Sequence, residues 1–125
     1  MEGGDRGGQP ETRKLARAAL DLLGFGARAG SLVTGTHGVR AAAREGGVHL
    51  VLLAVDTADG QRGKLVPLLE ARRIPYEIVF TRDELGAAIG RPPVSAVGLT
   101  HPAMATRVGE LLRARLRSAE QQGGS

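Results

Sequence analysis

This sequence contains no cysteine and no tryptophan, and its aromatic residues are one tyrosine and two phenylalanines. Without cysteine the chain can form no disulfide, no thiolate zinc site and no thiol nucleophile. Phe25, Tyr76 and Phe80 are too few to stack several bases on a sheet, which is how aromatic RNA-binding sheets work. Any nucleic acid partner must therefore contact loops, helix ends, arginines and backbone.

Long apolar runs are also absent. No stretch approaches the roughly 20 consecutive apolar residues of a membrane span. Residues 1–9 are polar and glycine-rich, without the apolar core of a secretory signal. We therefore expect a cytoplasmic protein that has no membrane partner.

The usual signatures of catalysis are missing as well. The sequence has no Ser/His/Asp set, no phosphate-binding Walker loop and no dinucleotide fingerprint. Its three histidines, His37, His49 and His101, lack the spacing of metal ligands. We expect a protein that is not an enzyme and that needs no cofactor, no metal and no small-molecule substrate.

Acidic residues are scarce in one segment of an otherwise mixed chain. From Arg13 to Arg44 there are six basic residues and one acid, Asp21, and fifteen of the 17 basic residues in the whole chain are arginine. Guanidinium groups pair well with phosphate, and this local excess favours a polyanionic partner such as nucleic acid. The alternative is that the charge, a formal net +4, serves only solubility.

Hydrophobic periodicity predicts helices that alternate with strands between two disordered tails, at 1–11 and 118–125. The predicted helices cover 12–23, 37–44, 63–72, a short segment opened by Thr81 with a capping-box pattern, and 103–117. The predicted strands cover 31–34, 48–55, 75–80 and 94–99. This alternation predicts one domain at 12–117, a three-layer α/β/α sandwich around a central mixed, mostly parallel four-stranded sheet.

The start of the second predicted helix is the best candidate site. Gly35 precedes the helix, and Thr34 or Thr36 is expected to cap it. First-turn N–H groups carry partial positive charge and suit a phosphate. His37 and Arg40 lie within one helical turn, and Arg44 follows one turn later, so these basic side chains can share a face. The alternative is an ordinary capped crossover helix.

Two carboxylates after the most apolar strand form a second candidate. Asp56 and Asp59 follow residues 48–55, where α/β proteins often hold a metal or a phosphoryl group. A receiver-like phosphotransfer domain using Asp56 is therefore one hypothesis. The alternative, which we favour, is that both carboxylates cap the turn into the third helix.

Five segments, taken in order, carry a resemblance to a known family. They are FGARAG at 25–30, LVTGTHG at 32–38, LVLLAVD at 50–56, IPYEIVF at 74–80 and LGAAIG at 85–90. Together they resemble the kink-turn RNA-binding ribosomal protein family, that of large-subunit protein seven-Ae, with the related thirty-e proteins and small bacterial homologues. The resemblance implies an α/β/α sandwich that binds structured, kink-turn-like RNA, ribosomal RNA among its partners, in association with the ribosome.

The family binds RNA with a Gly-Thr-Asn-Glu…Lys segment at the start of the second helix and with the loop before the last strand. By this resemblance Gly35 and Thr36 match the motif. His37, Gly38 and Ala41 stand at the asparagine, glutamate and lysine places. The expected RNA-binding residues are Arg28, Gly35, Thr36, His37, Gly38, Arg40, Ala41, Arg91, Pro92, Pro93 and Val94. Since the glutamate and lysine are missing, a protein-interaction module that has lost kink-turn binding is the alternative.

Overall fold

Five helices and four strands alternate along residues 10–123, the part of the chain that the computed structural model describes. The elements are α1 (Pro10–Arg28), β1 (Leu32–Thr34), α2 (Thr36–Glu45), β2 (Leu50–Leu53), α3 (Asp59–Ala71), β3 (Tyr76–Ile78), α4 (Arg82–Ala88), β4 (Ala96–Leu99) and α5 (Pro102–Gly123). The predicted order of elements is confirmed.

The strands form one mixed sheet in the order β1-β4-β2-β3. Only β2 and β3 are parallel, because β4 inserts antiparallel between β1 and β2. The prediction of a mixed four-stranded sheet is confirmed, and the prediction that it is mostly parallel is wrong. Alternation of helices and strands does not encode strand direction, and the loop after α4 brings the chain back so that β4 starts where β1 and β2 finish.

The strand register brings several connections to one edge of the sheet. Thr34, the last residue of β1, lies opposite Val97 in β4. Leu53, the last residue of β2, lies opposite Ala96 in β4 and Ile78 in β3. The last residues of β1, β2 and β3 and the first residues of β4 therefore lie at the same end of the sheet. We call this end of the strands, with the connections that leave it, the loop edge.

Two apolar clusters hold the three layers together. Every residue of β2 and of β4 is buried, so both central strands are covered on both faces. One cluster joins the sheet to α1, α4 and α5, and includes Leu23, Leu85 and Val108. The other joins the sheet to α2 and α3, and includes Val39 and Leu65. The predicted sandwich is confirmed.

The first helix is longer than predicted because two glycines do not end it. A Cβ at Gly24 would lie 2.8 Å from the Ala88 carbonyl oxygen, and one at Gly26 would lie 2.6 Å from the Met104 sulfur. These glycines serve close helix packing rather than termination. The helix ends at Arg28, before Gly30 with its positive φ of 72°.

The predicted tails also differ from the structure. The first helix begins at Pro10, inside the segment 1–11, and α5 continues to Gly123, inside the segment 118–125. Residues 1–9 and 124–125 lie outside the described residues. The third helix begins at Asp59 rather than at 63, and the predicted capping box of α4 is confirmed, because Thr81 and Glu84 exchange side-chain and backbone hydrogen bonds.

Candidate functional site

Three helices begin at the loop edge, and they differ in charge. Asp59 lies in the first turn of α3, and Asp83 and Glu84 lie in the first turn of α4. The first turn of α2 carries no acidic residue. Carboxylates offset the partial positive charge of a helix N-terminus. Of these three helices, α2 is therefore the one whose positively charged N-terminus has no carboxylate in its first turn.

The start of α2 depends on a glycine. Gly35 is the N-cap residue, with φ 85° and ψ 153°, a conformation that side chains disfavour. No side chain donates or accepts a capping hydrogen bond here, so the predicted threonine cap is wrong. Thr34 is held in β1 opposite Val97, and Thr36 is already helical. The first-turn N–H groups consequently meet no capping oxygen.

The side chains along the start of α2 present a mixed surface. His37, Ala41 and Arg44 are exposed, whereas Arg40 is half-buried. The Arg40 Nε atom is buried and has no hydrogen-bond partner among residues 10–123. The predicted basic face therefore contains one guanidinium that is partly withdrawn from solvent and retains an unused donor.

Gly38 lies in this helix without the special backbone that Gly35 needs. Its φ is not positive, and a Cβ built on it meets no atom within 4 Å. A side chain at this position would therefore point into open space. The glutamate place of the family motif is empty here but sterically available.

The loop before β4 lies tightly against α4. The Arg91 N–H donates to the Gly86 carbonyl at 2.9 Å, and the Val94 N–H donates to the Arg82 carbonyl at 3.2 Å. A Cβ at Gly86 would overlap the Pro92 carbonyl oxygen. Glycine is thus required in α4 so that the backbone of the loop can cross it.

The exposed residues of this loop are among those expected from the sequence to contact RNA. Arg91, Pro92 and Pro93 are exposed, and Val94 is half-buried against the core. The proline pair restricts the backbone of the exposed stretch. The loop therefore presents a stiff surface whose apolar end, Val94, is anchored.

Backbone hydrogen bonds join the end of this loop to the start of α2. The Gly35 N–H donates to the Ala96 carbonyl at 2.8 Å, and the Ala54 N–H donates to the Ser95 carbonyl at 2.8 Å. The Thr57 hydroxyl adds hydrogen bonds to the carbonyls of Ala54 and Ser95, at 2.7 and 3.3 Å. The structure thus brings the α2 start and the loop before β4 to one place.

Arg28 lies elsewhere. It is the last residue of α1 and lines a hollow with Ala88, Ile89 and Gly90. It therefore adjoins the beginning of the loop before β4, on the side of α1 and α4, rather than the start of α2.

Two further residues of the loop edge, Val55 and Arg62, are not among the residues expected from the sequence to bind RNA. The Arg62 Nη2 donates to the Val55 carbonyl at 3.2 Å, and its Nε is buried without a hydrogen-bond partner in the described chain. Val55 is 50 % exposed, although it belongs to the apolar run 48–55. For Val55, the signal available in the sequence was its position just beyond the end of the strand. Arg62 was missed because the third helix was predicted to begin at residue 63, which placed Arg62 in the preceding loop.

Asp56 caps a helix other than the predicted one. Its Oδ1 accepts a hydrogen bond from the Arg82 N–H at 2.8 Å, so it stabilises the start of α4 and not the turn into α3. Across residues 10–123 no three His, Asp or Glu side chains are grouped as metal ligands. None of the helices described is both long and apolar enough to cross a bilayer.

Comparison with known proteins gives consistent relatives. Residues 17–108 match the Ribosomal protein L7Ae/L30e/S12e/Gadd45 family. The chain is 30 % identical over 91 residues to large ribosomal subunit protein eL8 of Picrophilus torridus. The aligned residues cover 72 % of this chain and 70 % of that protein.

Solved structures with the same fold include two relatives of different kinds. A protein of unknown function from Bacillus halodurans C superposes with a TM-score of 0.73 at 33 % identity, covering 76 % of this chain and 96 % of that one. A 15.5kD RNA binding protein from Giardia lamblia superposes with a TM-score of 0.67, covering 83 % of this chain and 89 % of that one. At 24 % identity, the second likeness concerns the fold.

Proposed function

This chain belongs to the ribosomal protein L7Ae/L30e/S12e/Gadd45 family, and from that premise we propose that it binds structured RNA at the loop edge, in association with the ribosome, as a non-enzymatic protein. The observation that carries the proposal is the start of α2. This end has no capping side chain and no first-turn acid. The Gly35–Ala96 hydrogen bond holds it beside the loop before β4. Phosphate groups suit such helix ends.

Two arginines add donors to the same edge. Arg40, on α2, and Arg62, on α3, each have a buried Nε without a hydrogen-bond partner among residues 10–123. Leaving a buried donor unpaired costs about 1–3 kcal/mol. Both side chains are only half-buried. An RNA phosphate could therefore accept a charge-assisted hydrogen bond, which is stronger than a neutral one, from the outer N–H groups of either guanidinium. Ribosomal RNA is the partner that the family name suggests.

The finer proposal is that the RNA contains a kink-turn-like bend. In this proposal the α2 start, with His37 at the asparagine position of the motif, faces the bend. The exposed residues Arg91, Pro92 and Pro93 contact a nucleotide that is flipped out of the bend, as the loop before the last strand does in the family. Gly38 and Ala41 provide neither the carboxylate nor the amine of the family motif. We therefore expect affinity to come mainly from phosphates, with a steep dependence on salt.

The missing carboxylate and amine also favour a second candidate, a protein-interaction module on the same fold. A binding titration separates the two. It uses a kink-turn RNA and a straight duplex of equal length, each at 50 and 200 mM salt. Preference for the kink-turn RNA at both salts supports the first proposal. Equal binding supports RNA binding without kink-turn selection, and no binding to either RNA leaves the protein-interaction module.

A matched pair of variants locates the site. Arg40→Gln should weaken RNA binding and lower the salt slope by about one. Arg113→Gln removes the same charge from the exposed surface of α5 and should leave both unchanged. Equal effects of the two substitutions would mean that the charge acts diffusely and that the α2 start is not the site.

A further inference from the structure

A continuous groove runs between α1 and α4. Three hollows along these helices share their walls. The first and second share Arg17, Leu20 and Glu84. The second and third share Gly24 and Arg28, together with two alanines of α4. The groove therefore extends from Pro10 at the start of α1 to Gly90, where the loop before β4 begins.

The walls of this groove carry a net positive charge. The basic residues are Arg13, Lys14, Arg17 and Arg28, and the acidic residues are Asp21 and Glu84. Both carboxylates already have partners on the protein. Asp21 lies 3.9 Å from Arg17, and the Glu84 carboxylate accepts from the Thr81 N–H in the capping box.

Beyond Glu84, the α4 side of the groove is made of small residues. Ala87 and Ala88 present only methyl groups, and Gly24 allows the Ala88 carbonyl to approach α1 closely. The α1 side of the groove consequently carries long basic side chains, and most of the α4 side carries short ones. This shape suits an extended charged strand better than a compact small molecule.

The length of the basic wall can be compared with that of a nucleic acid strand. From Arg13 to Arg28 the helix rises about 22 Å, at about 1.5 Å per residue. One strand of a DNA duplex carries one phosphate per about 3.4 Å of axis, and the base pairs of an A-form RNA stem lie closer together along the axis. The wall is thus long enough for at least about six consecutive phosphates of one RNA strand.

We propose that this groove, between α1 and α4, holds the phosphate backbone of an RNA stem that continues outward from the loop before β4. The inference rests on the proposed RNA-binding function and extends it to a second contact surface. Two features support it: the net positive lining, and direct continuity at Gly90 with the loop already assigned to RNA. The loop edge would bind the bend, and the groove would bind the flanking stem.

The test compares two double variants that remove the same charge from different places. Lys14→Gln with Arg17→Gln neutralises the groove. Arg107→Gln with Arg113→Gln neutralises exposed residues of α5. Each pair removes two charges, and each includes one arginine that forms an ion pair within its own helix, at 3.9 Å in α1 and 3.5 Å in α5. Thermal unfolding followed by circular dichroism checks that both variants fold as the unchanged protein does.

The RNA probes are a kink-turn RNA with minimal stems and the same RNA with each stem lengthened in turn by about ten base pairs. That length exceeds the groove even though an A-form stem rises less per base pair than the roughly 3.4 Å of DNA. For one lengthened RNA, the groove variant should lower the salt slope by about two. Between 50 and 200 mM salt, the affinity of the unchanged protein should then fall about tenfold further than that of the groove variant. The α5 variant should show the same salt dependence as the unchanged protein with every RNA. With the minimal RNA, the groove variant should do so too.

The remaining outcomes separate the two proposals. If the unchanged protein prefers the kink-turn RNA but both variants behave alike, the groove inference is wrong and the proposed function stands. If the groove variant weakens the minimal RNA as much as the lengthened ones, the groove does not hold a flanking stem. If the unchanged protein binds no RNA, both proposals are wrong, and an acidic protein segment becomes the expected occupant.

Discussion

Restoring the two missing motif residues should improve RNA binding without harming the fold. The perturbation is Gly38→Glu together with Ala41→Lys. Gly38 has a helical backbone with no atom within 4 Å of the added Cβ, and Ala41 is exposed. Gly38 is the third residue of α2, so a carboxylate there lies at the N-terminal, positive end of the helix.

The magnitude follows from these positions. Replacing glycine inside a helix gains about 0.5–1 kcal/mol, and an acidic side chain in the first turn adds about 0.3–1 kcal/mol. The free energy of unfolding should therefore rise by roughly 1 kcal/mol. For RNA, the glutamate can accept hydrogen bonds from guanine edges, and the lysine lies one turn beyond His37 on the same face. A well-placed base contact contributes about 1–3 kcal/mol, so affinity for a kink-turn RNA should rise at least about tenfold.

The assay is a fluorescence titration of the double variant against kink-turn RNA and a straight duplex, beside a urea denaturation curve. The Ala41→Lys variant alone is the control, because it adds charge without the carboxylate. It should strengthen binding to both RNAs alike. If the double variant is stable but no more selective than this control, the start of α2 does not face the bend, and the reasoning from the family motif is refuted.

Three further predictions concern particular contacts. Gly86→Ala should destabilise the protein by about 1–3 kcal/mol, because the added methyl group would overlap the backbone of the loop before β4. The control, Gly63→Ala, has no atom near the added methyl group and should stabilise the protein by about 0.5–1 kcal/mol. Equal urea midpoints for the two variants would contradict the packing of that loop against α4. The pKa of Tyr76 is raised by its hydrogen bond to Glu70, so this contact stabilises the fold below about pH 10 and is lost as the pH rises through the higher folded value. Glu70→Ala should lower that pKa, which tyrosinate absorbance reports cleanly in a protein with one tyrosine and no tryptophan. Asp56→Ala should cost about 1 kcal/mol as a lost helix cap, and labelling of Asp56 by acetyl phosphate in the unchanged protein would contradict that assignment.

Much of the fold is present in local sequence patterns. The apolar run around β2 predicts a strand covered on both faces, and the Thr81–Glu84 spacing predicts a capping box; both are confirmed. What failed depends on distant residues. Gly24 and Gly26 look like helix terminators until Ala88 and the Met104 side chain are placed beside them. The direction of β4 likewise depends on which strands it joins.

The candidate site was partly predictable for the same reason. The Gly35-Thr36 dipeptide marks the start of α2, and the structure places it at the loop edge. The N-cap residue between β1 and α2 is nevertheless Gly35 and not a threonine. Its position depends on a hydrogen bond from its N–H to the carbonyl of Ala96, far along the chain. Arg62 has no local signal at all, since its position depends on a carbonyl beyond the end of β2.

The placement of the last strand has a consequence for how this protein matures. β4 is synthesised after β1, β2 and β3, yet within residues 10–123 it is the sole partner of β1 and the link between β1 and β2. A nascent chain that ends before Ala96 therefore cannot close the sheet, and nothing yet holds Gly35 in its capping geometry. Such long-range pairing is formed late and slowly. We expect the loop edge to form only after β4 has been synthesised, so that shorter nascent chains lack the proposed RNA-binding surface.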